Sequence, residues 1–318
     1  MKLPQTLKFA MLAVAAIATV SWSSAADAAD SKTLRIGYQK YGTLIILKSR
    51  GALEKRLAAQ GFSVEWKEFP GGPQLLEALN VGAIDAGTTG ETPPVFAQAA
   101  GAPLVYIGYE PSAPKGEAIL VPKDSKITKV ADLKGKKVAL NKGSNVHYLL
   151  VKALEANGLQ LSDIESVFLP PADGRAAFEA GKVDAWVIWD PFQAAAEAAF
   201  NARTLASGEG LVKNYQFFLA TRDYATKQPE VLKAFLDEID AVDKWAANNS
   251  DEVSKTLAPT VGLPAPVLKV SLDRLSYGVA PLTPEVIQNQ QAIADIFHKV
   301  GLLPKPIAIK DALWAQGS

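Results

Sequence analysis

The sequence predicts an α/β fold with two similar lobes that face each other across a cleft. A short motif occurs twice, as Gly82-Ala83-Ile84-Asp85-Ala86 and as Gly181-Lys182-Val183-Asp184-Ala185. Each copy follows a helix-like run and leads into a short apolar strand, an acidic turn at Glu91 or Asp190, and a proline that opens the next helix. Strands also alternate with helices along most of the chain, which favours mostly parallel sheets covered by helices. Two such lobes suggest matching cleft walls, a geometry more typical of a binding protein than of a catalyst.

The first 28 residues have the pattern of a cleaved secretory signal peptide. Lys2 and Lys8 precede an apolar run at 9–20, and Ala26-Asp27-Ala28 fits the small-residue cleavage pattern. The run is shorter than the roughly 20 residues that a membrane-spanning helix needs. We therefore expect export and removal of residues 1–28.

Composition indicates a globular protein that is stabilised by its core. The chain has 318 residues, enough for two domains, with 48% hydrophobic and 21% charged residues. It has no cysteine, which excludes a disulfide-stapled fold and a lipid anchor on cysteine. We expect a soluble protein of a Gram-negative periplasm.

Charge gives no sign of a polyanionic partner. The whole chain has 33 basic and 33 acidic residues, and loss of Lys2, Lys8 and Asp27 leaves 31 against 32. No basic stripe or acidic block occurs, so nucleic acid and anionic membrane surfaces are poor candidates as partners.

The first predicted lobe begins with a strand at 32–37, where Leu34 and Ile36 share one face. A helix follows and ends at Gly61, and Gly71-Gly72-Pro73 opens another helix with proline in its first turn. The other predicted elements are strands at 63–69, 84–87, 104–109 and 117–121 and a helix at 91–100.

The pattern then restarts in a second lobe and ends in a helical tail. The predicted strands of this lobe are 137–140, 164–169 and 183–188, and its predicted helices are 145–157, 173–180 and 191–200. A further strand is predicted at 215–221, and the tail has predicted helices at 229–248, 250–257, 264–275 and 284–300. We expect lobe I at 29–121 plus 216–318 and lobe II at 122–215, with crossings near Val121 and Tyr215. The ligand cleft then lies beyond the carboxyl ends of the strands.

Four predicted helix starts point at this cleft. Helix N-termini carry unpaired N–H groups and partial positive charge, so they bind anions without a cationic side chain. The alternative for Ser, Thr, Asn and Asp at such positions is ordinary helix capping. The candidate ligand contacts are Gln39, Tyr41, Gly42, Thr43, Thr88, Thr89, Gly90, Glu91, Gly143, Ser144, Asn145, His147, Trp189 and Asp190. Together they favour a small oxyanion headgroup.

Several of these candidates have particular roles in the hypothesis. Trp189 is expected to cover the ligand tail, whereas Trp186 points the other way into the core. Glu91 and Asp190 either cap their own helices or grip an ammonium group. His147, on the first turn of a helix, is a possible donor to an oxyanion.

The sequence gives little support to catalysis. Two widely separated histidines and no cysteine make a zinc site improbable. No G-x-S-x-G elbow occurs, and Gly71-Gly72-Pro73 lacks the frame of a phosphate-binding loop. We expect no catalytic residue, no metal and no cofactor, and we take Asp85 and Asp184 as structural turn residues.

Taken together, the segments resemble the periplasmic aliphatic sulfonate-binding proteins of ABC importers. The resemblance extends from about residue 33 to residue 314 and is carried by 35–40, 69–82, 88–94, 131–139, 142–147 and 183–191. Its specific parts are Gly37-Tyr38-Gln39-Lys40, Gly71-Gly72-Pro73-Gln74 and Trp189-Asp190-Pro191.

The resemblance implies a type II periplasmic binding protein with two crossover strands and a cleft between its lobes. Such a protein captures an alkanesulfonate for sulfur acquisition and delivers it to an ABC permease of the inner membrane, as a monomer without a cofactor. It also implies headgroup contacts at Gln39, Thr88-Thr89-Gly90 and Gly143-Ser144-Asn145.

Two alternatives remain open at this stage. One is a receptor of the same fold for taurine, nitrate, a pyrimidine precursor or another small anion. The loop Tyr41-Gly42-Thr43 is more compact and more aromatic than is usual in the family, which leaves the range of substrates open. The other is an exported enzyme on the same scaffold.

Overall fold

A computed structural model describes residues 32–315. The predicted signal peptide at 1–28 lies outside the described residues. Within 32–315 no helix combines the length and the apolar character that crossing a bilayer requires.

The described residues form ten strands and twelve α-helices. In chain order they are β1 Thr33–Tyr38, α1 Thr43–Arg50, α2 Ala52–Ala58, β2 Ser63–Glu68, α3 Gly72–Asn80, β3 Ala86–Gly90, α4 Pro93–Ala99, β4 Leu104–Glu110, β5 Glu117–Val121, β6 Lys137–Leu140, α5 Asn145–Ala156, β7 Glu165–Phe168, α6 Pro171–Glu179, β8 Ala185–Trp189, α7 Phe192–Phe200, β9 Arg203–Ser207, β10 Gln216–Thr221, α8 Arg222–Lys227, α9 Pro229–Ala246, α10 Ser250–Val261, α11 Ala265–Asp273 and α12 Pro284–Lys299.

The strands form two five-stranded sheets of equivalent topology, which confirms the two-lobed α/β fold. The orders are β2-β1-β3-β10-β4 and β7-β6-β8-β5-β9. Each sheet has three neighbouring parallel strands, and each holds one antiparallel strand, β10 or β5, in its fourth position. The sheets are therefore mixed, with antiparallel pairs on both sides of β10 and β5.

The chain crosses to the second sheet earlier than the sequence predicts. β5 was expected to close the first lobe, but it pairs with β8 and β9, with Glu117 opposite Trp189. We call residues 111–116 and 208–215, which join the two sheets, the crossing segments. The second of them ends at Tyr215, where a crossing was expected.

The repeated motif builds the same backbone connection in each lobe. The Asp85 carboxylate accepts the Arg35 N–H at 2.8 Å, and Asp184 accepts the Lys137 N–H at 2.8 Å. In return the Asp85 N–H donates to the Arg35 carbonyl, and the Asp184 N–H to the Lys137 carbonyl, each at 2.8 Å. Both aspartates are thus structural, as predicted.

The helical tail packs on the first lobe and also reaches the second. α9 lies against α1 and α2, whereas α11 contacts α7 of the second lobe. Gly51, with φ 63°, ends α1 and starts α2, so the single helix expected before Gly61 is two. The short elements β9 and α8 were not predicted.

Candidate functional site

The two lobes touch along the carboxyl ends of their strands, and glycines make the contacts. A Cβ atom on Gly90 would lie 2.7 Å from Asn145 Oδ1 of the second lobe. A Cβ atom on Gly71 would lie 3.3 Å from Asn141 Nδ2 and 3.6 Å from the Trp189 ring. The cleft is therefore closed. The two lobes can approach this closely because Gly71 and Gly90 have no Cβ atom.

Two cavities lie between the lobes on either side of the Gly71 contact. The larger, of about 490 Å³, is bordered by α3 and α4 on one side and by the loops after β6 and β7 on the other. The smaller, of about 320 Å³, is lined by Tyr41, Phe69, Trp189 and Phe192 and by the loop Val261-Gly262-Leu263 of the tail. Gln39, Tyr41 and Trp189 line the smaller cavity, and Gly143 lines the larger.

The loop after β1 divides between the cleft and the first lobe. Gln39 Nε2 donates to the Thr88 carbonyl at 3.3 Å, while the buried Tyr41 hydroxyl has no partner among the described residues. Gly42 has φ 73° and precedes α1. Thr43 instead donates its hydroxyl to Asp243 of α9 at 2.5 Å. Thr43 borders neither of the two cavities, and its hydroxyl is engaged by a buried carboxylate.

β3 continues through Thr88, Thr89 and Gly90, which were predicted as a loop beyond the strand. The extension forms because Gly90 pairs with Gln216 of β10. The Thr88 hydroxyl donates to the Phe217 carbonyl at 3.1 Å, and the Thr89 hydroxyl to the Gly90 carbonyl at 3.0 Å. Both hydroxyls are therefore engaged within the first lobe.

Glu91 does not cap the helix that follows it. Its Oε2 accepts the Tyr215 N–H at 3.0 Å, which ties β3 to the second crossing segment. Burial raises the pKa of Glu91 to about 7. Capping of α4 by Glu91 was therefore a wrong prediction.

The start of α5 is held by its own side chains. The Ser144 hydroxyl donates to the Asn141 carbonyl at 2.8 Å, and Gly143 N–H donates to His147 Nδ1 at 3.3 Å. Asn145 Nδ2 donates to Glu117 and, at 3.1 Å, to Asn214 Oδ1. The Asn145 amide nitrogen is therefore engaged at the crossing segments.

His147 is a neutral, fully buried imidazole. Burial, together with the nearby charge of Lys142, lowers its pKa to about 4. Its ring lies between Phe168 and Phe297, with centroids 5.7 and 5.3 Å away. Because Nδ1 accepts from Gly143, the proton resides on Nε2, which has no partner among residues 32–315.

Trp189 and Asp190 have different surroundings. Trp189 walls the smaller cavity and packs edgewise on Phe192, whereas Trp186 is buried as predicted. Asp190 accepts the Ala194 N–H at 3.0 Å and so caps α7, the first of its two predicted roles.

Arg274 of the tail also engages Asp190. Its guanidinium lies 3.3 Å from Asp190 and 2.6 Å from Glu197. Burial nevertheless raises the pKa of Asp190 to about 6, against the lowering effect of Arg274. Asp190 is therefore engaged by Arg274 and α7, and gripping of an ammonium group is not its role in this structure.

Sequence reasoning missed two polar groups at the closed contact. Asn141 Nδ2 and Gln74 Oε1 are buried beside Gly71 and have no partners among the described residues. Asn141 directly follows the last residue of β6, so the rule that selected Gly143 and Ser144 would have found it. The loop 261–263 carries no local signal, because it reaches the smaller cavity only through the packing of the tail.

This arrangement suits a compact anion with an apolar portion. Asn141, Tyr41 and Nε2 of His147 are buried donors without partners among residues 32–315, and the first turn of α5 adds the field of a helix N-terminus. Lys142 borders the larger cavity, and Lys40 and Arg175 border the smaller. The remaining walls are largely apolar and aromatic.

Several known proteins are similar to this chain in sequence and in architecture. Residues 57–253 match the family described as NMT1/THI5 like. The chain is 46% identical over 305 residues to a putative aliphatic sulfonates-binding protein of Escherichia coli (strain K12), covering 95% of each chain. It is 30% identical to the Bacillus subtilis (strain 168) protein of the same description, over 89% of this chain and 86% of the relative. The alkanesulfonate-binding protein SsuA from Xanthomonas axonopodis pv. citri, bound to MOPS, is 46% identical with a TM-score of 0.86, covering 90% of this chain and 99% of that one.

Proposed function

Because the chain belongs to the periplasmic aliphatic sulfonate-binding proteins, within the NMT1/THI5 like family, we propose that it captures alkanesulfonates between its lobes and delivers them to an ABC permease. It is a substrate-binding receptor and not an enzyme. The observation that carries this conclusion is its likeness to sulfonate-binding relatives over nearly the whole chain.

It acts in the periplasm, since the Escherichia coli aliphatic sulphonate-binding protein, which is 46% identical, is periplasmic. We extend the proposal to cleavage of residues 1–28 as a signal peptide and to a monomeric receptor. We also propose the division into lobe I and lobe II that the sequence predicts, with β5 moved to lobe II because of its pairing.

The sulfonate is proposed to bind at the closed contact, where Asn141 faces Gly71, Asn145 at the start of α5 faces Gly90, and Gly143 faces Phe96. Gln39, Tyr41 and Trp189 then line the side that receives part of the organic portion. Neutral donors and a helix N-terminus hold the charge, so release to the permease breaks no salt bridge to the ligand. The ligand contacts both lobes only when they are closed, and this difference drives closure.

The second candidate ligand, taurine, carries an ammonium group that needs an acceptor. Asp190 is engaged by Arg274, and Glu91 accepts from the Tyr215 N–H. The geometry therefore favours alkanesulfonates with uncharged tails.

Isothermal titration calorimetry with ethanesulfonate, taurine, nitrate and sulfate tests this proposal. The buffer must contain no sulfonate, since a relative was solved with MOPS bound. We expect ethanesulfonate and longer alkanesulfonates to bind more tightly than the other three. Absence of binding by every alkanesulfonate would refute the proposed ligand class.

A further inference from the structure

Two buried carboxyl groups lie where the lobes join. Glu91 follows the last residue of β3 and is 1% exposed, and Glu117 opens β5 directly after the first crossing segment and is 0% exposed. Glu91 binds the backbone of Tyr215, and Glu117 binds Asn145, which in turn binds Asn214. The pair thus connects both crossing segments with the start of α5.

Neither carboxyl group has the partners that a buried carboxylate needs. One oxygen of each, Oε1, has no hydrogen-bond partner within residues 32–315. None of the ion pairs formed there includes Glu91 or Glu117. A carboxylate that is buried without a cation or several donors is disfavoured, and it takes up a proton instead. The pKa of Glu117 is raised well above its usual range, mainly by burial and secondly by the negative charge of Glu91.

The groups around the pair do not supply the missing countercharge. Lys213 in the second crossing segment lowers the pKa of Glu91, but less than burial raises it. The hydroxyl groups of Tyr41, Tyr148 and Tyr215 also interact with the pair and are neutral near pH 7. The carboxylate of Asp190 also lies near Tyr41, but it is paired with Arg274.

Opening of the lobes changes the surroundings of both groups. The closed contact between Gly90 and Asn145 lies beside them, so separation of the lobes admits water to the pair. In water a glutamate ionises near its ordinary pKa of about 4.3. The open form therefore holds fewer protons than the closed form near neutral pH.

We propose that lobe closure takes up a proton at the Glu91–Glu117 pair, so that the receptor binds its ligand together with a proton. This inference rests on the proposed function, because closure is there driven by the ligand. By linkage, the ligand Kd rises with pH between the carboxyl pKa of the open form and that of the closed form, by about tenfold per pH unit for each proton taken up.

Calorimetry in buffers of different ionisation enthalpy measures this proton directly. Ethanesulfonate is titrated at about pH 7 into the full mature protein in phosphate, Bis-Tris and imidazole. We expect the observed enthalpy to vary linearly with the buffer ionisation enthalpy, with a slope equal to uptake of about one proton. Glu117→Gln keeps an acceptor for Asn145 but cannot titrate, so its slope falls by at least half. Glu230→Gln, at an exposed position on α9, is the matched control and keeps the full slope.

Each result separates the two proposals. Tight binding with the same enthalpy in all buffers would overturn proton uptake and leave the receptor function standing. If no sulfonate binds, the ligand class fails, and the same buffer series with whichever of taurine, nitrate or sulfate binds measures the proton uptake instead. An enthalpy that is equal in all buffers for that ligand would overturn the inference.

Discussion

At the scale of single residues, the site is defined by donors that have no partner within the described part of the protein. Asn141 is 6% exposed and Tyr41 is 8% exposed, yet Asn141 Nδ2 and the Tyr41 hydroxyl are unpaired among residues 32–315. A buried donor without a partner costs free energy, so such groups need an explanation. We propose an anionic ligand between the lobes as that explanation.

Replacement of Asn141 tests that explanation. A hydrogen bond to a charged group contributes about 1.5–3 kcal/mol, so Asn141→Ala is expected to raise the sulfonate Kd roughly 10- to 100-fold. Asn141→Asp places a carboxylate near the anion and should weaken binding further. Asn157→Ala, at the exposed end of α5, is the control and should keep native affinity. Calorimetry measures the sulfonate Kd of the three variants. A native affinity in Asn141→Ala would contradict the proposal that Asn141 binds the sulfonate.

Gly90 offers a second test at this scale. A methyl group there meets Asn145 Oδ1 at 2.7 Å, so either the Asn145 side chain leaves its bonds to Glu117 and Asn214 or the lobes shift apart. Gly90→Ala is therefore expected to weaken ligand binding at least tenfold while leaving each lobe folded. Small-angle scattering should show a larger radius of gyration with saturating ligand than in the native protein. An unchanged radius and Kd would show that the contact is not needed for closure.

At the scale of elements, the start of α5 depends on its own third residue. His147 accepts the Gly143 N–H through Nδ1, much as the glutamate of a capping box reaches back to the start of a helix. The sequence placed His147 correctly on the first turn of a helix. It could not show which nitrogen is used, because that depends on Phe168 and Phe297 from elsewhere in the chain.

Two substitutions of His147 distinguish its role as a hydrogen-bond acceptor from its role in packing. His147→Asn puts a side-chain oxygen in the place of Nδ1, whereas His147→Leu removes the acceptor. We expect His147→Leu to lose about 1 kcal/mol of stability from the lost cap and to bind the sulfonate more weakly, as urea unfolding and calorimetry measure. His147→Asn should recover the affinity, in part or in full. Equal affinities for both variants and the native protein would limit His147 to packing.

The ion pairs of Arg274 with Asp190 and Glu197 join the end of α11 to α7. Arg274→Met leaves Asp190 buried without its cation, and breaking a buried pair costs about 3–5 kcal/mol. The pKa of Asp190 is already raised to about 6, and it rises further without Arg274. A raised carboxyl pKa makes folding less favourable as pH increases through it, so the loss should be larger at pH 8 than at pH 5. Urea unfolding at both pH values measures this, and a loss independent of pH would exclude Asp190 as its cause.

The secondary-structure elements show how much of the fold and of the candidate site the sequence predicts. Period-two apolar residues such as Leu34 and Ile36 and prolines at helix starts identified most strands and helices, because these signals are local. β5 was assigned to the wrong sheet, since only its pairing with β8 shows where it lies. The partners of Thr43 and Asp190 were missed for a similar reason, as Asp243 and Arg274 are far away in sequence.

At the scale of the whole molecule, two sets of contacts join the lobes: close approaches at glycines, and helices of the carboxyl-terminal tail. Glycines at positions 71, 90 and 143 form the closed contact, while α11 and α12 reach from the tail to α7 and α5. The closed form is thus supported from two directions. A ligand needs to contribute only the difference between the open and closed forms.

Export gives a further prediction at this scale. Cleavage after Ala28 yields a mature protein that begins at Ala29, and intact mass spectrometry of the periplasmic fraction measures this. A mass that still includes residues 1–28 would contradict the signal peptide. Cleavage after Ala26 would retain the prediction of export but correct the site.

The place of β10 also determines when the first lobe can form. Its sheet contains β10 between β3 and β4, so an emerging chain that has exposed only residues 32–110 lacks an interior strand. The second sheet draws all its strands from the continuous stretch between Glu117 and Ser207. During synthesis or translocation the second lobe can therefore fold first, while the earlier-emerging segment waits with unpaired strand edges until residue 221 appears. The amino-terminal part of this chain is consequently the part most exposed to wrong strand pairing during export to the periplasm.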